Sequence, residues 1–184
     1  GNETSARPSK CLTASRAILA DVTAPALYQE LLSRVSMPAR LREDVRRFQW
    51  DNATLKLNWA LDGPVPWRGE VARLAGTVHL GVDLDGVIDL AADLAVGRMP
   101  RHPFVLFGQM TTADPSRSPA GTESAWAYTH LPQRHAADGA ALDRLTAQVE
   151  EAVERVAPGF GRLVRARHVQ SPADLEAADA NLVG

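Results

Sequence analysis

Residues 53–61, Ala-Thr-Leu-Lys-Leu-Asn-Trp-Ala-Leu, alternate without a fault. Successive side chains of a strand point to opposite faces. Leu55, Leu57, Trp59 and Leu61 therefore share one side, and Thr54, Lys56, Asn58 and Ala60 the other. A strand of this kind needs a covering layer on its apolar side and leaves its polar side free. Gly-Pro-Val-Pro-Trp at 63–67 ends it, because proline gives a ladder no N–H donor.

The elements around this strand alternate in type. Residues 14–21 read as a short buried strand. Thr23 and Pro25 open a helix with Leu27, Leu31 and Val35 at helical spacing, and Pro38 opens another with Leu41, Val45 and Phe48 on one stripe. A short strand is expected at 76–80. A helix follows at 86–97, with Val87, Ile88, Ala91, Leu94 and Ala95 turned inward and Gly97 as its stop.

Residues 103–111 and 124–131 read as two strands joined by a loop with Asp114, Pro115, Pro119 and Gly121. Two prolines restrict φ and a glycine permits a turn, so the loop is stiff and fixes strand register. The strongest helix spans 139–156, with Leu142, Leu145, Val149, Val153 and Val156 on one face, and Pro158 ends it. A last strand covers 164–170. Ser171, Pro172 and Asp174 then carry a helix start with a capping box. This order predicts an α+β fold: a mixed, partly antiparallel sheet covered on one face by helices.

Both faces of the sheet are partly apolar. Ser124, Trp126, Tyr128 and His130 share a face, and a bare sheet face with large rings is an amphipathic surface, an interface or the roof of a ligand cavity. Lys56 and Asn58 stand on the polar side of their strand. They are either solvent-exposed, or Lys56 stands into a cavity where burial and neighbours tune a lysine's proton affinity.

A chain of 184 residues suits one domain and buries roughly 70% of its unfolded surface. The formal net charge of -2 points away from nucleic acid and anionic membranes. Arg40, Arg42, Arg46 and Arg47 alternate with Glu43 and Asp44, as on a solvated helix face. The single cysteine, Cys11, rules out an internal disulfide and fits a reducing compartment. No run approaches the ~18 apolar residues of a membrane span, and no signal peptide opens the chain.

The five histidines, His79, His102, His130, His135 and His168, lack metal-ligand spacing, so no metal is expected. Gly159 and Gly161 form a lone Gly-x-Gly after a helix, without the third glycine of a dinucleotide fingerprint. No Gly-x-Ser-x-Gly is present.

Three segments share a likeness, in order. Leu-Lys-Leu-Asn-Trp-Ala-Leu-Asp-Gly-Pro-Val-Pro-Trp (55–67) resembles a Lys-x-Asn strand with a proline-aromatic break. Residues 114–128, which open Asp-Pro-Ser and continue through Ser-Pro-Ala-Gly, resemble an Asp-Pro-Ser/Thr, then Ala/Ser-Pro-x-Gly loop, and residues 171–184 resemble a segment leading into a flavin-contacting loop. Together they resemble FAD-dependent oxidoreductases of the phytoene dehydrogenase (carotenoid desaturase-like) family. Residues 14–28 resemble that family's strand between its two domains.

The resemblance implies a two-domain flavoenzyme that oxidises or desaturates an apolar or amine-bearing substrate. On it, residues 1–22 are the end of the FAD-domain connection, 23–170 the substrate-binding domain, and 171–184 a return segment toward the FAD domain. The Gly-x-Gly-x-x-Gly fingerprint is absent, so the chain is expected to be a fragment that needs the missing FAD-binding domain as partner and is inactive alone. By a looser likeness to flavin amine oxidases, Lys56 takes the catalytic role, approaching flavin N5 through a water. By strand face, not by matched function, Asn58, Gln109, Met110, Trp126 and Tyr128 are candidate lining of the substrate cavity, and Gly184 is placed by the cofactor. A cytoplasmic location is expected, with membrane-surface attachment open, and a fragment with an exposed domain face is expected to be able to self-associate through it. The competing reading is a stand-alone module, without enzymatic activity, that binds a hydrophobic ligand or a partner protein.

Overall fold

The computed structural model describes residues 13–183, so Cys11 and Gly184 lie outside them. The chain divides into two packing units, Gly1–Gln49 and Trp50–Gly184.

In the first unit, residues 14–21 are not a strand and stand exposed, with Leu19 97% accessible. The apolar run is present, but none of the described residues of the unit covers it. The helix expected after Thr23 is a π-helical turn, Ala26–Leu31, and Leu31 and Val35 are exposed. Helix α1, Ala39–Arg46, starts after Pro38 and buries Val45, whereas Phe48 lies past its end and is exposed. Its charges form a solvated face, with Arg46 and Arg47 both paired to Glu43.

The second unit is built on a five-stranded sheet. Its strands are β1 (Ala53–Leu61), β2 (Thr77–Leu80), β3 (Val105–Gln109), β4 (Glu123–Leu131) and β5 (Val164–Gln170), in the order β2-β3-β4-β1-β5. The α+β class is as expected, but every pairing is antiparallel, so the sheet is not mixed. Strand β1 pairs with β4 along its whole length, and its alternation appears in its burial: Leu55, Leu57, Trp59 and Leu61 are buried, while Lys56 and Asn58 are half-buried.

Helix α4 (Gly139–Val156) covers the apolar face with Leu145, Val149, Ala152 and Val153, while Val156 at its end is exposed. Trp59, Phe107, Trp67 and Phe160 fill the space beneath. Trp67 meets Phe107 edge-on at 5.1 Å, and Trp59 meets Phe160 the same way at 5.3 Å. Each buried indole N–H finds an acceptor, Trp59 on Glu150 at 3.1 Å and Trp67 on Gln109 at 2.9 Å, as buried polar groups require.

Helix α2 (Glu70–Leu74) precedes β2, and helix α3 (Leu84–Ala95) follows it. The residues expected inward on α3 do not face a core. Val87, Ile88, Ala91 and Ala95 are exposed, Leu84 is 77% accessible, and no residue of the helix is buried. Periodicity shows that a stripe exists but not that anything covers it. The short helix α5 (Phe160–Leu163) starts at Gly159, whose φ of +94° suits glycine. Helix α6 (Pro172–Ala178) carries the expected capping box between Ser171 and Asp174 and buries Leu175.

The loop between β3 and β4 is held as stiffly as its composition suggests. Asp114 accepts the backbone N–H and hydroxyl of Ser116, Thr122 donates to the Pro119 carbonyl, and Gly121 sits at φ +83°. Among the described residues no helix is long and apolar enough to cross a membrane.

Candidate functional site

The sheet face opposite α4 carries rings and polar heads in rows across the strands. Register places His79, Leu106, Tyr128, Lys56 and Gln170 in one row, and Thr77, Gly108, Trp126, Asn58 and His168 in the next. Within β4, Trp126 and Tyr128 lie almost parallel, 4° apart with centroids 6.0 Å apart, and His130 meets Tyr128 edge-on at 5.7 Å. Residues two apart on a strand share a face, so the alternation of β4 produces this shelf of rings.

Trp126 can lie flat because its neighbour on β3 is Gly108. A Cβ there would stand 2.2 Å from Trp126 Cε2. The Trp126 indole N–H points to Met110 Sδ at 3.1 Å, which fixes the ring plane.

Helix α6 and the tail beyond it close one side. Leu175 and Leu182, with Thr54, Lys56, Trp126 and Tyr128, line an open cavity of about 330 Å³. The helix is held by reciprocal bonds: Asp174 N–H donates to Ser171 Oγ at 3.2 Å, and Asp174 Oδ2 accepts the Ser171 hydroxyl and N–H at 2.6 and 2.9 Å. The Ser171 hydroxyl, then the Ser171 N–H, hold the Asp174 carboxyl below the usual carboxylate range, with a smaller contribution from the His168 charge. The tail is tied by the Gln133 side-chain amide, which donates to the carbonyls of Asp51 and Val183, both at 2.8 Å.

The structure brings Lys56, Trp126 and Tyr128 to one cavity, with Met110 at the Trp126 edge. Asn58 sits one row away, its amide donating to Gln170 Oε1 at 3.1 Å. Among the described residues, the Lys56 ammonium has no carboxylate partner.

Gln109 does not join them. It pairs with Ala125 on the α4-covered face and is 4% exposed. Its amide accepts from Trp67 and donates to the carbonyls of Ala72 and Ala75 at 2.8 and 2.6 Å. It clamps the segment around α2 to β3. No group of His, Cys, Asp or Glu that could hold a metal occurs among the described residues.

Sequence reasoning missed Glu123, Leu175 and Leu182. Glu123 is 3% exposed and accepts the backbone N–H groups of Met110 and Thr111 at 3.0 Å, that of Ser124 at 2.9 Å, and the Thr111 hydroxyl. It locks both ends of the β3–β4 loop together and so holds Met110 at the edge of Trp126. Its parity with Ala125, Ala127, Thr129 and Leu131 is the available signal, an acid in phase with a buried face.

No family model matches the chain, and no curated protein matches it. Among solved structures, the fold is similar to an oxidoreductase from Methanosarcina mazei, with a TM-score of 0.43 and 16% identity. The match covers 76% of this chain and 27% of that one. A likeness of this size fixes neither a family nor an activity.

Proposed function

We propose that this chain is the substrate-side domain of a FAD-dependent oxidoreductase related to phytoene dehydrogenases, and that its open sheet face roofs the substrate cavity. The observation that carries this reading is the shelf of Trp126 and Tyr128 beside Lys56, on a face that α4 leaves uncovered and that α6 covers at one side. An apolar wall with a few placed polar groups is what a small-molecule site requires. The Lys-x-Asn strand and the Asp-Pro loop, on which the resemblance rests, are the two elements that build and brace this face.

The residues fit a lid better than a cradle. Among the described residues, Gly159 and Gly161 follow a helix and accept no phosphate-binding role by position, so the pyrophosphate would be held by a separate nucleotide-binding domain. When bound, the flavin supplies the hydride acceptor. This chain's part is to bind and orient the substrate on the ring shelf, exclude water with Leu175 and Leu182, and hold a proton or a water at Lys56 Nζ.

The exposed stripe of Leu84 and Ile88 on α3 favours a second reading, a module that binds a partner protein without enzymatic activity. The absorption spectrum of the full natural gene product, purified without added flavin, separates the two. Bound flavin that is lost on trimming to residues 1–184 supports the flavoenzyme. A well-folded full-length protein without flavin overturns it. Within a flavoenzyme, Lys56→Met should slow flavin reduction by about 10²-fold, and an unchanged rate removes Lys56 from the chemistry.

A further inference from the structure

We propose that the cavity on the open face selects planar aromatic anions, such as aryl carboxylates, and rejects aromatic amines. The inference rests on the reading of this face as a ligand site and narrows the class of ligand.

The shelf supplies the ring preference. Trp126 and Tyr128 are held within 4° of one plane direction, with Gly108 beneath the indole and Met110 fixing its N–H. Two parallel rings lining one cavity present aromatic surface against which a planar ligand ring can pack. Leu175 and Leu182 face the ligand from the α6 side and add apolar contact without a polar demand.

The charge preference comes from Lys56. Indole and phenol faces attract cations, so a ring wall by itself would accept an amine. Lys56 is the cross-strand neighbour of Tyr128 and lines the same cavity. Among the described residues the cavity lining contains no carboxylate, and Asp174 on α6 is engaged with Ser171. A ligand cation would meet an unpaired like charge, whereas a carboxylate would meet a partner that lacks one.

The test uses the 184-residue chain and three probes of one shape: 2-naphthoate, 2-naphthamide and 2-(aminomethyl)naphthalene. Each is titrated while the indole N–H of Trp126 and the amides of Tyr128 and Leu175 are followed by NMR. We expect 2-naphthoate to shift these signals saturably, with a Kd at least about tenfold below that of the amide and a wider gap from the amine. Lys56→Gln should remove the preference and leave the stacking, and Lys56→Arg should keep it. Amine binding as tight as the carboxylate, or a preference that survives Lys56→Gln, overturns the inference. If Lys56→Gln fails to fold, the wild-type ranking of the three probes decides alone. Failure of all three probes to move the Trp126 indole also overturns it. The flavoenzyme reading is judged separately by the flavin content of the full gene product.

Discussion

Trp126 lies across Gly108 on the neighbouring strand so closely that a Cβ at residue 108 would stand 2.2 Å from its Cε2. The flat ring shelf therefore depends on the absence of one methyl group. Gly108→Ala should tilt the indole away from Met110, move the Trp126 indole N–H resonance, and cost about 1–2 kcal/mol in urea unfolding. An unmoved resonance would show that the ring does not rest on Gly108.

Glu123 holds the loop that carries Met110. Glu123→Ala leaves three backbone N–H groups and the Thr111 hydroxyl without their acceptor. We expect a loss of about 3 kcal/mol, because stranded buried donors keep their full desolvation cost. A loss below about 1 kcal/mol in chemical denaturation would mean that water replaces the carboxylate freely.

Gln109 serves the fold rather than the cavity. Gln109→Ala orphans the Trp67 indole N–H and removes the donor to Ala72 and Ala75, so it should cost about 2–3 kcal/mol. Ligand-induced shifts of Trp126 should persist in this variant. Their disappearance while the protein stays folded would return Gln109 to the binding face.

The capping box of α6 sets a pH dependence. The Asp174 carboxyl is held below its ordinary value, chiefly by the Ser171 hydroxyl. Its contribution to stability is thus complete above the ordinary aspartate value of about 3.9 and is lost as pH falls through the lowered folded value. The difference in urea midpoint between wild type and Ser171→Ala should be largest near neutrality and shrink below pH ~4. A difference that is flat with pH would show that the reciprocal bond is not formed in solution.

The α3 stripe gives a control. Ile88 is 61% exposed, so Ile88→Glu should change stability by less than about 0.5 kcal/mol. A larger loss in thermal unfolding would reveal a cover on this helix.

The sequence by itself determined whatever closes within a few residues. The alternation of β1, the apolar face of α4 and the reciprocal bond from Ser171 to Asp174 are legible because each is a contact or period of two to four positions. The loop from Asp114 to Gly121 is legible for the same reason.

Tertiary structure decided what covers what. The runs at 14–21 and on α3 are apolar in sequence yet exposed, because periodicity names a face without naming its partner. Register was equally decisive. Only the pairing of Gly108 with Trp126 shows that the indole has room to lie flat, and only the pairing of Gln109 with Ala125 turns that amide toward Trp67 and away from the cavity. Leu175, Leu182 and Glu123 enter the story through partners far along the chain. Such long-range contacts are fixed by burial and hydrogen-bond satisfaction in three dimensions, which no local pattern encodes.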